Sequence, residues 1–161
     1  MADNEKTDDL LNQTPPHNID IEKALLASLM SIEEAYDKIA DIVTKDDFYA
    51  GRHQYIFDGI AHLAAVNEPY DTVMVHDWLE AQKLLKSAGG DSYLADILSQ
   101  SPATLFNLTA YAQRVRELST LRQLITTGND MLTLAYNPKD QTVSDILDNV
   151  EAKIFSINEQ H

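Results

Sequence analysis

The sequence predicts an all-α protein, a compact helical globule followed by a protruding antiparallel helical hairpin. Three observations favour this fold class. Apolar residues recur at helical spacing along most of the chain, and no segment alternates in the way of a strand. The segment from Asn107 to about Tyr136 contains no proline and one glycine, Gly128. Asn137-Pro138 then turns the chain into a second amphipathic segment, which predicts the return arm of a hairpin.

Composition limits the classes of function. The 161 residues carry a formal net charge of −14 and no cysteine, and 44% of them are hydrophobic. Nucleic-acid binding needs a basic surface, so we expect little direct contact with DNA and a neutral or basic protein surface as the partner. Without cysteine the chain has no disulfide framework and no zinc–thiolate site. No apolar run reaches the length of a membrane span and the first residues do not form a signal peptide, so we expect a cytoplasmic protein without membrane contact.

The chain divides into three predicted segments. Residues 1–14 are polar and acidic, which predicts a disordered tail. Residues 15–104 predict the helical globule, and residues 105–158 predict the hairpin. The globule begins at Pro15-Pro16, which favours extended chain, and Asn18 is then placed to cap the first helix.

Further helix boundaries follow from local patterns. Ser31-Ile32-Glu33-Glu34 fits a capping box and predicts that a second helix begins there. Asp71 is expected to cap a later helix that runs through Leu84-Leu85. Gly89-Gly90 predicts the end of that helix, because glycine readily adopts the left-handed conformation. Thr142 is expected to cap the return arm of the hairpin.

The long arm of the hairpin would run roughly 45 Å. It carries two apolar lines, and a helix needs only one apolar face to pack within its own molecule. We therefore expect one line to pack inside the hairpin and the other to meet a partner chain. The candidate residues for hairpin or dimer packing are Leu118, Leu121, Leu124, Leu132, Val150 and Ile154.

Residue types with catalytic or metal-binding potential form no recognisable site. Asp58 and His62 lie four residues apart on one helix face, but two such residues alone are more typical of a solvated pair than of a metal site. No glycine-rich phosphate loop is present. Arg114, Arg116 and Arg122 predict ion pairs within the hairpin. We expect this chain not to be catalytic by itself, to hold no cofactor or metal, and to act in binding and assembly.

Five sequence blocks, in matching order and spacing over about residues 15–158, resemble the N-terminal domain of DnaB-family replicative DNA helicases. The blocks are Pro15-Pro16-His17-Asn18-Ile19-Asp20 with Glu22, Asp46-Asp47-Phe48-Tyr49 with His53, Pro69-Tyr70-Asp71, Gly89-Gly90-Asp91-Ser92-Tyr93-Leu94, and Asn107 with Tyr111-Ala112 and Val115-Arg116-Glu117. The first helix departs from the family pattern at Ala27-Ser28, where relatives often carry glycine.

The resemblance implies a role in DNA replication. In the family the hairpins pair, and three such dimers build a collar around the helicase hexamer. The collar is the docking surface for the C-terminal domain of primase, and a helicase loader is a further partner. ATP and magnesium belong to a RecA-like motor domain that follows a linker helix, and we expect that domain to lie outside this chain.

The resemblance also implies candidate contact residues. Asp20, Tyr93, Ile125 and Met131 are the candidates for binding primase or another partner. Each has a structural alternative: a favourable first-turn charge for Asp20, core packing for Tyr93, and packing inside the hairpin for Ile125 and Met131.

Three other interpretations remain open from the sequence. The helicase-binding C-terminal domain of a primase has a similar helical architecture, although the Pro-Pro-His start and the Gly-Gly-x-x-Tyr-Leu block favour the helicase. An unrelated all-α protein-interaction module is the second. A small helical metallo-enzyme built on Asp58 and His62 is the third.

Overall fold

Seven α-helices form the regular structure of the described part of the chain. The structure, a computed structural model, describes residues 13–100 and 105–160. The helices are α1 (Ile19–Ser31), α2 (Ala35–Ile39), α3 (Gly51–Ala65), α4 (Thr72–Ala81), α5 (Gly90–Gln100), α6 (Leu105–Tyr136) and α7 (Val143–Gln160), with a 3-10 turn at Lys45–Asp47. These ranges contain no strand, so the all-α prediction is confirmed. The predicted tail, as far as residue 12, and the predicted break at Ser101-Pro102 lie outside the described residues.

The helices belong to two units. The first unit comprises His17–Thr120, and its core forms around α1, which packs against α2, α3 and α5. The largest fully buried side chains of this core include Leu25, Leu29, Phe48, Ile56, Ile60, Leu79, Ile97 and Leu108. Leu25 and Leu29 in α1, and Ile56 and Ile60 in α3, are each four residues apart, as expected for amphipathic helices that share one core.

The second unit comprises residues 13–16 together with Leu121–Gln160. It contains the C-terminal part of α6 and all of α7, joined by the turn at Asn137-Pro138. The long arm is one continuous helix of 32 residues, as the absence of proline predicts. No helix of the described residues combines the length and hydropathy that a membrane crossing requires.

The predicted helix caps are confirmed where the signal is local. The Asn18 side chain accepts a hydrogen bond from the Ile21 amide at 3.0 Å, at the start of α1. Asp71 caps α4 by accepting from the Met74 amide at 3.0 Å. At the start of α7, the Thr142 hydroxyl accepts from the Asp145 amide at 3.1 Å while the Asp145 carboxylate accepts from the Thr142 amide at 3.2 Å.

The predicted capping box at Ser31-Ile32-Glu33-Glu34 is wrong. Helix α1 continues to Ser31, and the Ile32 amide still donates to the Ser28 carbonyl. Glu34 then adopts a left-handed backbone with φ of 59°, and its side chain makes no capping bond. Residues 32–34 form the link between the two helices, so α2 begins only at Ala35.

The predicted end of the fourth helix is also wrong. Helix α4 ends at Ala81, where Lys83 takes a left-handed φ of 60°. The Leu84 amide donates to the Leu79 carbonyl at 2.8 Å and the Lys83 amide to the Glu80 carbonyl at 3.0 Å, which is a Schellman ending. Gly89 and Gly90 do have positive φ, but they lead into α5.

Candidate interaction surfaces

A buried polar chain connects α1, α3 and α5. Glu22 and His53 are 2% and 0% exposed, and the Glu22 Oε1 atom lies 2.8 Å from His53 Nδ1. The other ring nitrogen, Nε2, lies 2.5 Å from the hydroxyl oxygen of Tyr93. Because a carboxylate only accepts, Nδ1 carries a proton and donates it to Glu22. The Tyr49 amide also donates to Glu22, at 2.9 Å, so the buried carboxylate is well satisfied.

Tyr93 lies between this buried chain and a basic surface. The Arg52 guanidinium is 4.5 Å from the ring centroid and Lys23 Nζ is 5.5 Å from it, both within the range of cation–π attraction. Burial raises the pKa of the Tyr93 phenol above its ordinary value, and the positive charge of Arg52 acts in the opposite direction. The half-buried ring is therefore fixed in place while part of it remains accessible.

Gly89 makes room for Tyr93. Its φ is +103°, and a Cβ built there would lie only 2.7 Å from the Tyr93 Cβ. The spacing of the Gly-Gly-x-x-Tyr-Leu block thus has a steric cause, because the Tyr93 side chain packs directly against the backbone of Gly89 in the preceding turn.

We predict that Gly89→Ala lowers the free energy of unfolding by at least about 1–3 kcal/mol, because alanine is strained at this φ and its methyl group overlaps Tyr93. Gly128→Ala is the matched control: it lies within α6 with open space around its Cβ, so it should raise stability by about 0.5–1 kcal/mol. Urea unfolding of both variants measures the difference. Equal stabilities for the two would contradict this role of Gly89.

Asp47 anchors a second buried network. It is 1% exposed, and its Oδ1 atom accepts from Arg116 Nη1 at 2.7 Å and from the Ser119 hydroxyl at 2.7 Å. Its other oxygen accepts from the Thr44 amide at 2.7 Å. These bonds connect the turn before α3 to the first part of α6.

The arginines therefore do not all act as predicted. Arg116 forms its ion pair with Asp47 in the first unit, which corrects the prediction of pairing within the hairpin. Arg114 pairs with Glu117 on the same helix at 3.2 Å. Arg122 donates to the Pro16 carbonyl at 2.9 Å.

The remaining blocks also make contacts within the first unit. His17 stacks on Tyr49 with ring centroids 4.2 Å apart. The Tyr70 hydroxyl accepts from the Tyr36 amide at 3.0 Å. Asp20 differs, because it is exposed in the first turn of α1 and makes no ion pair with any described residue.

The pair of Asp58 and His62 has ordinary surface contacts. His62 Nδ1 lies 2.9 Å from the Asp58 carbonyl oxygen, its ring stacks on Trp78, and Lys45 lies 3.8 Å from the Asp58 carboxylate. Across the residues that the structure describes, no group of three or more potential ligands could hold a metal ion.

The hairpin exposes a row of apolar side chains. On α6, Leu121, Leu124, Ile125, Met131 and Leu132 are 42–45% exposed, and on α7 Val143, Leu147, Ile154 and Phe155 are 43–75% exposed. We call these nine residues the hairpin apolar surface. With 3.6 residues per turn, these positions fall on one side of each helix rather than being scattered around it.

The hairpin also contains polar contacts. Thr127 is buried, and the half-exposed side chains of Asp130 and Lys153 form an ion pair between α6 and α7 at 3.2 Å. Val150 is half-buried. Leu118 is 7% exposed and belongs to the first unit. Ile125 and Met131, in contrast, both lie on the hairpin apolar surface.

Sequence reasoning missed two buried contacts, the hydrogen bond between Glu22 and His53 and the ion pair between Asp47 and Arg116. Both pairs lie within the recognised blocks, but the partners are 31 and 69 positions apart in sequence. The signal that could have indicated them is the presence of acidic residues at core-facing helical positions, since a buried carboxylate requires a partner.

Comparison with known proteins agrees with this architecture. Residues 14–117 match the family model described as the DnaB-like helicase N-terminal domain. The replicative DNA helicase DnaB of Haemophilus influenzae is 36% identical over 146 residues, which is 91% of this chain and 31% of the relative. The replicative DNA helicase DnaC of Bacillus subtilis is 37% identical over 150 residues, 92% of this chain and 33% of the relative. The chain thus spans about a third of the length of these curated relatives.

Solved structures show the same fold. The N-terminal domain of DnaB helicase from Mycobacterium tuberculosis has a TM-score of 0.83 at 29% identity, covering 89% of this chain and 99% of that one. A structure of a DnaB-like replicative helicase and its interactions with primase has a TM-score of 0.69 at 19% identity, covering 87% of this chain and 31% of that one, and supports the fold alone. The chain belongs to the DnaB-like helicase N-terminal domain family.

Proposed function

We propose that this chain is the collar domain of a hexameric replicative helicase, which assembles through its hairpin and docks primase at the replication fork. In the whole protein, a RecA-like motor would unwind DNA with ATP and magnesium. The observation that carries the proposal is the hairpin apolar surface, found in a chain that belongs to this family. Large apolar side chains exposed along two neighbouring helices favour association with another protein surface.

Self-association through the hairpin has a direct physical basis. The nine exposed side chains would leave water on pairing of two hairpins, and burial of apolar area contributes about 25 cal/mol per Å². The Asp130–Lys153 ion pair already links the two arms, whereas the hairpin apolar surface is exposed in the single chain. We propose the dimer, and a trimer of dimers in the hexamer, as the assembled states.

Primase docking rests mainly on residues outside the hairpin apolar surface. The DnaB-like helicase of similar fold was solved in connection with its interactions with primase. In this chain, Asp20 is exposed and Tyr93 is held rigidly beside Arg52 and Lys23. We propose that Asp20 and Tyr93 in the first unit, and Ile125 and Met131 on the hairpin, each contribute contacts to the primase C-terminal domain.

Calorimetric titration with the C-terminal domain of primase from the same source tests the docking. We predict that Asp20→Lys weakens binding by about ten-fold or more, since it reverses an interface charge while leaving the fold intact. Asp46→Lys is the control, because Asp46 is also exposed and makes no ion pair with a described residue. No binding by the unmodified chain, or equal losses for the two variants, would overturn the assignment of Asp20.

The alternative of a primase domain is not favoured. The family model and the two relatives named above describe helicases. Membership in the helicase family therefore separates this chain from the helicase-binding domain of a primase, in spite of their similar helical architecture.

A further inference from the structure

A groove in the first unit is lined by residues outside the Tyr93 and Asp47 networks. It has a volume of about 600 Å³, within the range of ligand-binding clefts, and is formed by the end of α1, the link to α2, and the turn between α3 and α4. The Tyr70 hydroxyl accepts from the Tyr36 amide at 3.0 Å and thereby connects the α3–α4 turn to α2. The two sides of the groove are therefore held together by a hydrogen bond.

The groove combines an apolar base with an acidic rim. Ile32 and Tyr70 are half-buried and supply apolar surface. Carboxylates stand around them, from Glu33, Glu34, Asp37 and Glu68. Asp71 is a further lining residue, but its side chain caps α4. Among the residues that the structure describes, no lysine, arginine or histidine lines the groove.

These four carboxylates make no ion pair with any residue that the structure describes. Other acidic residues of the same unit do: Asp47 pairs with Arg116, and Glu117 with Arg114. Their field acts on the groove itself, because burial raises the pKa of the Tyr70 phenol and the charges of Asp37 and Glu34 raise it further, against the hydrogen bond from Tyr36.

The chemistry of the groove restricts its occupant. Its carboxylates do not converge into a group able to hold a metal ion among the described residues, so a single cation does not fit. Nucleic acid would meet like charge. The apolar base favours an occupant that brings an apolar side chain as well as positive charge.

We propose that this groove binds a basic segment of a partner protein, with an apolar side chain on Ile32 and Tyr70 and flanking lysine or arginine side chains on the unpaired carboxylates. The groove is formed at the C-terminal end of α1, whereas Glu22 and the Tyr93 contact lie toward its N-terminal end, about 15 Å along the helix. The partner would thus bind independently of primase docking at Asp20 and Tyr93.

The probe for this proposal is a fluorescein-labelled peptide with a central leucine between two pairs of arginines, measured by fluorescence anisotropy. The test variant combines Glu33→Gln, Asp37→Asn and Glu68→Gln. Its control combines Asp77→Asn, Glu151→Gln and Glu159→Gln, which remove the same number of exposed charges elsewhere. Thermal melting of both variants checks that each remains folded.

We expect the unmodified chain to bind the peptide, the groove variant to lose about ten-fold in affinity, and the control to change by less than about two-fold. A peptide with serine in place of leucine should bind several-fold more weakly. Absence of binding, equal losses for the two variants, or equal affinity for the serine peptide would each overturn the proposal. None of these results bears on primase binding, which has its own titration.

Discussion

Asp47→Ala is expected to lower the free energy of unfolding by about 3–5 kcal/mol, the largest effect of any single substitution considered for this domain. The carboxylate is 1% exposed and accepts hydrogen bonds from Arg116, Ser119 and the Thr44 amide. The substitution removes the acceptor shared by the largely buried Arg116 guanidinium and the buried Ser119 hydroxyl. Losing hydrogen bonds at buried donors costs more free energy than losing them at the surface. Since small domains are stable by about 5–15 kcal/mol, the melting temperature should fall by about 10 °C or more.

Asp46→Ala is the matched control for this prediction. Asp46 is the preceding residue, is exposed, and makes no ion pair with a described residue, so its replacement should change stability by about 0.5 kcal/mol or less. Ser119→Ala should have an intermediate effect of about 1 kcal/mol, since it removes one hydrogen bond and leaves the ion pair. If urea unfolding gave Asp47→Ala and Asp46→Ala the same stability, the proposed anchor between the 3-10 turn and α6 would be incorrect.

The second large effect is expected on assembly. Leu124→Glu should raise the dissociation constant of the self-associated chain by about a hundred-fold or more, because a carboxylate buried at an apolar contact without a partner costs several kcal/mol. Leu124 is 44% exposed in the single chain, so its replacement should leave the melting temperature of the dissociated chain nearly unchanged. Sedimentation velocity over a range of concentrations measures the constant.

The control for assembly lies two positions further along the same helix. Thr126→Glu adds the same charge at an exposed position on the opposite side of α6 from the hairpin apolar surface. It should leave the dissociation constant within about three-fold of the unmodified chain. Comparable dissociation by both variants would indicate general charge repulsion rather than a specific contact through Leu124.

The parts of the fold that the sequence predicts well are those with a local physical cause. Asn18, Asp71 and Thr142 cap their helices through bonds to residues three positions away, so a short pattern contains all the information. The continuity of α6 follows in the same way from its lack of proline. Which of its two apolar lines meets a partner chain stays a prediction.

The failures have two causes. Glu34 and Lys83 adopt left-handed backbones, which few residues other than glycine take, so their residue types give no signal for the helix boundary. The bonds from Glu22 to His53 and from Asp47 to Arg116 join residues that are distant in sequence. The five blocks were recognised by resemblance, but the reason for their residue types became apparent only from these contacts.

The blocks also bear on how the candidate contact residues should be interpreted. Most of their polar residues satisfy one another inside the first unit, as Glu22, His53 and Tyr93 do. Variants at such positions would alter folding and binding together. Asp20 and the hairpin apolar surface are exposed, so substitutions there separate partner binding from stability.

Sedimentation equilibrium of the unmodified chain tests the central claim most directly. A collar domain that associates through its hairpin should show, at micromolar concentration, a mass that is an even multiple of the 18.0 kDa chain, and Leu124→Glu should return it toward the single-chain mass. A mass of one chain at every concentration, with the helices intact by circular dichroism, would contradict the proposal that the hairpin apolar surface is an assembly surface.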